Sequence, residues 1–148
     1  MEKAVLVTHL RDLLEQRTTS LMAELATTRE ARNSDTKSSA GDKHEVGRAM
    51  VQQELDQLEA RLSTVWSMQQ ELARLQVDGV HQQVGLGSLV TTEHGTYFVA
   101  IGLGALELDG ERCYIISLAS PLGQALRGKR SGETITFNGE RRTIISVQ

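Results

Sequence analysis

The chain is 148 residues long and carries 16 Lys+Arg against 19 Asp+Glu, a formal net charge of −3. It has room for one ordinary domain or two small modules, and no global positive field draws it onto DNA or an anionic membrane. No stretch approaches the ~18 consecutive apolar residues of a membrane span, and the opening MEKAVLVTHLRDLLEQR meets charges too soon for a secretory signal, so a cytoplasmic protein without membrane contact is expected.

From Glu2 to about Arg32 there is neither Gly nor Pro, and Val7, Leu10, Leu14, Leu21 and Leu25 keep close to a three-four spacing interrupted at Arg17. That pattern predicts an amphipathic helix over 2–33. A second helix is expected over 43–76, where Val51, Leu55, Leu58, Leu62, Val65 and Leu72 trace a coiled-coil seam with Gln69 as its one polar break. Between them NSDTKSSAGDKHE continues neither stripe and reads as a turn, so the helices form an antiparallel hairpin with a solvated, charged tip. Four of the five aromatic residues lie beyond residue 96, so this half must pack without rings.

After Leu75 the composition shifts to β-branched residues, and 11 of the 13 glycines fall here. The runs VGLGSLVTT, GTYFVAIGLG, ERCYIISL, ETITF and RRTIISV predict a small antiparallel sheet, with Asp109-Gly110 and Asn138-Gly139 as tight hairpin turns. SPLGQALRGK interrupts the strands with one short helix over 121–128: Ser120 caps it, Pro121 opens it and Gly128 closes it. The class is therefore α+β, with a hairpin over 1–76 and a β domain with one short helix over 77–148.

Chemistry is sparser than architecture. Cys113 lies in the apolar run CYIISL and reads as a buried small hydrophobe, since no histidine lies near it to activate a thiolate. His9, His44, His81 and His94 are scattered, none at the i, i+4 spacing of a helical metal site, and read as surface groups. The two GLG triplets, at 85–87 and 102–104, lack a following helix and are expected to be bulges or close sheet contacts, not phosphate loops. At the tip, Asp42 and Glu45 stand three apart at the start of a helix, a spacing that suits two oxygen donors to a hard cation. The same spacing is a capping box, with both charges favoured at the positive helix end. Arg127, Lys129 and Arg130 form a small basic cluster, either a solvated face or a partner-facing one.

Residues 120–137, SPLGQALRGKRSGETITF, resemble the signature of the GreA/GreB transcript-cleavage factor family at Ser120, Pro121, Gly123, Ala125, Leu126, Gly128, Lys129, Gly132 and Glu133. The order of the two modules also resembles that family, whose members join an N-terminal antiparallel coiled coil to an FKBP-like C-terminal domain. The resemblance implies an accessory factor, not an enzyme in its own right. Such a factor binds bacterial RNA polymerase through the C-terminal domain and places the hairpin tip in the secondary channel. There the tip acids help hold a catalytic Mg²⁺ and promote cleavage of backtracked RNA.

Carried onto this chain, the resemblance makes Asp42 and Glu45 the catalytic and Mg²⁺-sharing pair. Ser120, Pro121, Gly123, Arg127, Lys129 and Arg130 become the partner-binding set. It also implies no cofactor of the protein's own, an indirect approach to the nascent RNA 3′ end, and a monomer. The tip departs from the family pattern, with Lys43 and His44 beside the acids and Val46 in place of Asn. A cation there opposes metal binding by a solvent-screened amount. Two further readings stand beside cleavage: a channel-binding regulator without it, and a stand-alone FKBP-like enzyme, which the scarcity of aromatics disfavours.

Overall fold

The computed structural model describes residues 1–37 and 42–148, with residues 35–37 and 42–44 described as backbone only. The chain divides into two compact units, residues 10–69 and residues 1–9 with 70–148.

Two helices, α1 (Lys3–Lys37) and α2 (Asp42–Ala73), carry the expected stripes. In the first unit Leu25, Leu55, Leu58 and Leu62 are buried together, with Leu21 and Val51 packed against them. Each buried leucine contributes roughly 1.5–3 kcal/mol relative to an exposed one. Arg29 reaches Glu59 at 3.3 Å and Arg32 donates to the Gln52 carboxamide at 3.2 Å; partner numbers fall as residue numbers rise, so the helices run antiparallel. These exposed pairs mark the register and contribute little energy. Trp66, the one ring in this half, is half exposed.

The helices reach further into the polar stretch than expected, to Lys37 on one side and from Asp42 on the other. Polar residues end a buried stripe but do not end a helix when neither Pro nor a string of Gly intervenes. At its far end α2 stops at Ala73, three residues short of the expected bound. The Leu75 amide then donates to the Leu72 carbonyl, and Leu75 is buried.

The second unit contains six strands: β1 (Leu89–Thr92), β2 (Gly95–Val99), β3 (Gly104–Leu108), β4 (Glu111–Ile116), β5 (Thr134–Phe137) and β6 (Glu140–Val147). A short helix, α3 (Pro121–Leu126), lies between β4 and β5. The strand order is β3-β4-β2-β1-β6-β5. Four pairings are antiparallel as expected. The fifth, β2 with β4, is parallel, because the β3–β4 hairpin brings β4 back alongside β2 in the same direction. Asp109 and Gly110 have φ of 52° and 79°, and Asn138 and Gly139 have 52° and 77°. Two consecutive positive φ values make the primed turn that closes a two-residue hairpin.

The run GTYFVAIGLG proves to be strand only over its first half, and β3 begins at its last glycine. Of the two GLG triplets, Gly87 is a close contact: at φ +89° its Cα approaches the Gln76 carbonyl so nearly that a Cβ would lie 2.9 Å from that oxygen. One sheet face buries Val90, Val99, Ile135 and Ile144 with Val84 and with Leu126 of α3. Cys113 is fully buried, and burial pushes its thiol up to about 11, as an inert hydrophobe requires.

Candidate functional site

The signature segment is held chiefly by backbone geometry. Ser120 is the N-cap of α3: its Oγ accepts from the Gly123 amide at 3.0 Å and donates to the Ser117 carbonyl at 2.7 Å. One hydroxyl thereby joins the loop before the helix to the helix's first turn. Pro121 occupies the first helical position, where its missing amide costs nothing. Gly123 is buried against the preceding loop, where a Cβ would collide with the Ser117 oxygen and lie 2.8 Å from that of Leu118. Only glycine lets the helix sit this close.

After Leu126 the Arg127 amide donates back to the Gly123 carbonyl, and Gly128 turns the chain at φ +76°. Val84 then clasps the turn from the other side. Its amide donates to the Lys129 carbonyl and its carbonyl accepts from the Gly128 amide, both at 2.8 Å. Gly132 turns the chain again at φ +90° and donates to the Ile144 carbonyl at 2.7 Å, so the segment re-enters the sheet at β5 and β6.

Of the six expected partner-binding residues, Ser120 and Gly123 are therefore engaged in building α3. Pro121, Arg127 and Arg130 are exposed. Lys129 is half-buried and its Nζ lies 3.9 Å from Glu133, an i, i+4 ion pair; Arg127 and Arg130 make no ion pair among the described residues. Two supports of this segment are not assigned as such from the sequence: Glu133, matched there only as part of the signature, and Val84. Glu133 was legible through its spacing from Lys129, whereas the Val84 clasp involves only main chain and has no side-chain signature.

At the tip the structure places Asp42 at the first position of α2 and Glu45 one turn on, exposed to solvent. The Asp42 side chain, and with it the expected capping box, lies outside the described residues, as do the side chains of Lys43 and His44. Among the described residues no group of three or more His, Cys, Asp or Glu gathers to hold a metal. Two carboxylates one turn apart are hard oxygen donors of the kind Mg²⁺ takes, but they fill at most part of its roughly six positions.

The β1–β2 turn is also tied down by side chains. Glu93 accepts from the Thr143 amide at 2.8 Å, and hydrogen bonding to Thr143, by its side chain first and its amide second, holds the Glu93 carboxyl below the usual carboxylate range. Arg142 donates to the Tyr97 hydroxyl at 2.7 Å and lies over the Phe137 ring, while Tyr97 stacks on Tyr114 at 5.6 Å. Tyr97 is only 6% exposed, so its ring braces the sheet.

A helical hairpin joined to a mixed six-stranded sheet, on which a short capped helix sits, defines an α+β protein of two parts. Residues 79–148 match the family model for Transcription elongation factor, GreA/GreB, C-term. The similarity to the GreA/GreB family therefore lies in the C-terminal domain. Among solved structures it is similar to the GreA factor homolog 1 (Gfh1) protein of Thermus thermophilus. The identity is 22% over 93% of this chain and 94% of that one, with a TM-score of 0.37. A second structure, of the transcription factor Gfh1, shares 28% identity over 88% of this chain and 92% of that one, with a TM-score of 0.35. No curated protein matches.

Proposed function

We propose that this chain is a Gre-like transcription factor of the cytoplasm that acts, as a monomer, on bacterial RNA polymerase. Its C-terminal domain binds the polymerase, and its hairpin enters the secondary channel. There Asp42 and Glu45 contribute carboxylates to a Mg²⁺ shared with the polymerase active site, and so promote cleavage of backtracked RNA. The observation that carries this reading is the family match over residues 79–148, reinforced by the capped helix and glycine turns into which the matched residues fold. On this reading Arg127 and Arg130, exposed beside that segment, face the polymerase, and the bond-breaking chemistry remains the polymerase's own.

At the tip, an exposed Glu45 one turn from Asp42 has lone pairs to offer a cation and a water molecule, which a buried carboxylate would not. The bound metal supplies a Lewis acid; the two acids help hold it and orient the attacking water. Lys43 and His44 favour a second reading, a factor that occupies the channel without promoting cleavage, because their charge opposes a cation at the same place.

Stalled, backtracked elongation complexes distinguish the two. On the cleavage reading, wild type releases RNA in a Mg²⁺-dependent manner, whereas Asp42→Asn and Glu45→Gln lose release while keeping polymerase affinity. If wild type releases nothing at any Mg²⁺ concentration yet binds, the channel-occupying regulator is the correct account.

A further inference from the structure

The hairpin carries a groove that its own seam does not fill. Between Leu14 and Leu21 the stripe of α1 lapses: Arg17 is exposed, and Thr18 turns its hydroxyl back to the Leu14 carbonyl at 3.0 Å. Beside this gap lies a depression of about 550 Å³, entirely within residues 10–69. From α1 it is lined by Leu13, Gln16, Arg17, Ser20 and the adjoining Leu21, and from α2 by Arg61, Thr64, Val65 and Met68. Both sets follow i, i+3, i+4, i+7, so each is one face of its helix. Leu13, Leu21, Val65 and Met68 make the floor apolar, and the only charged groups in the lining are the two arginines.

Neither Arg17 nor Arg61 makes an ion pair or a side-chain hydrogen bond with another described residue, although Arg29, Arg112 and Arg142 all do. The acids of the same stretch of α1, Asp12 and Glu15, are not in this lining but in that of an adjoining depression, which shares Gln16 and Ser20 with it. An apolar floor between two helices, flanked by two unanswered guanidinium groups, is complementary to one kind of occupant. That occupant is a helix with apolar anchors three to four residues apart and carboxylates on either side of them.

We propose that this groove docks an acidic amphipathic helix of a partner protein, lying along the hairpin as a third helix with its carboxylates on Arg17 and Arg61. The groove runs from Leu13 to Leu21, about 12 Å along α1 at ~1.5 Å per residue, which accommodates roughly two turns of the incoming helix. The proposal is independent of the tip acids and of the signature segment, and it holds whether or not the protein promotes RNA cleavage.

Trp66, the single tryptophan, adjoins Val65 of the floor and provides the signal. The full-length chain is titrated with three probes while Trp66 fluorescence is followed. The first is an 18-residue helical peptide with leucines at three-four spacing and glutamates flanking them, the second its lysine-flanked counterpart, and the third a polyuridine RNA 12-mer. The glutamate peptide is expected to bind saturably and at least tenfold more tightly than the lysine peptide. Arg61→Gln should weaken it severalfold, and Arg17→Glu with Arg61→Glu should reverse the preference between the peptides. Both positions are exposed, so helicity by circular dichroism should be unchanged in the variants. Equal binding of the two peptides, no binding, preferential binding of the RNA, or an unchanged preference in the double variant each overturns the proposal.

Discussion

The helical hairpin and the signature segment use their residues in different ways. Along α2 the fold is determined by one stripe, with Leu55, Leu58, Leu62 and Val65 buried and nearly everything between them open to solvent. Between Ser117 and Glu133 it is determined by main-chain hydrogen bonds, left-handed glycines and a loop-to-helix approach too close for a side chain. A stripe leaves most positions free to acquire surface chemistry, as the tip acids and the arginines of the groove show. A segment held by its backbone has few free positions, so the stretch most distinctive in sequence is distinctive because the fold requires it. Of its exposed polar side chains, Gln124, Ser131 and Glu133 are already bonded to neighbours, whereas Arg127 and Arg130 have no ion pair among the described residues.

The largest effect is expected from placing a charge in the stripe. Leu58 is 3% exposed, and Leu58→Asp removes a buried side chain and leaves a carboxylate without a partner, at a cost of about 4 kcal/mol or more. Helicity at 222 nm should fall and the denaturation midpoint with it. Glu54, one turn before Leu58 but facing solvent, is the control: Glu54→Gln should leave both readouts in place. A Leu58→Asp protein with wild-type helicity and midpoint would mean that the seam is misassigned.

Next in size is Gly123→Ala, which adds a single methyl group. With the Ser117 oxygen already in the space of the new Cβ, main chain and not a flexible side chain must move, and the cost should be roughly 3 kcal/mol. The loss should appear in the β/α unit, as lost amide protection at Val84, Gly128 and Lys129, where the clasp opens. If the variant is as stable as wild type, the close approach of α3 to its preceding loop does not exist in solution.

These contrasts explain what could be read in advance. The stripes were legible because helical burial repeats every three to four residues, and the hairpin turns because Asp109-Gly110 and Asn138-Gly139 tolerate positive φ. Ser120, Pro121 and Gly128 declared the ends of α3 for equally local reasons. β3 was not legible: ALEL is rich in helix formers, and it becomes an edge strand only through its register with β4. Nor was the parallel pairing of β2 with β4, which no local residue encodes. The role of Gly123 depends on two carbonyls contributed by other residues, so the motif could be matched without its physical reason. At the tip the acids were legible by spacing, yet the arginine-flanked groove was not, since Arg17 read only as a break in a stripe.

Acidification should sharpen the comparison, because its two clearest targets both lie in the β/α unit. Burial, and secondarily the charge of Lys3, lower the His81 pKa below its ordinary 6.5. The unfolded chain then binds more protons at this site between the two values, so stability falls as pH drops through that window. Lys3 Nζ is itself buried without a hydrogen bond, which leaves the imidazole facing an unneutralised neighbour. Glu93, held below its ordinary 4.5 by hydrogen bonds to the Thr143 side chain and amide, contributes stability above that value and loses it as pH falls through its folded pKa. The melting temperature should therefore decline in two stages, the first as pH drops below 6.5 and the second as it drops below 4.5. His81→Gln should remove the upper stage and Glu93→Gln the lower; a decline unchanged by both would assign the acid response elsewhere.

The smallest effect has the opposite sign and concerns the same substitution as the second. Gly47, like Gly123, lies inside a helix, two residues past Glu45, but among the described residues nothing stands within 4 Å of the position its Cβ would occupy. Here glycine is not required by a neighbour, and its cost is the backbone freedom it retains in the unfolded chain. Gly47→Ala should therefore stabilise the start of α2 by roughly 0.5–1 kcal/mol and raise the melting temperature by about 2–4 °C. The added methyl carries no charge and reaches no carboxylate, so RNA release, where the wild type shows it, should persist. If release were lost while stability rose, the tip would have to unwind at its first turn in order to act, and the freedom of Gly47 would be part of its function. If stability fell, the first turns of α2 would not be helical in solution, and the one-turn spacing assigned to Asp42 and Glu45 would fail with them.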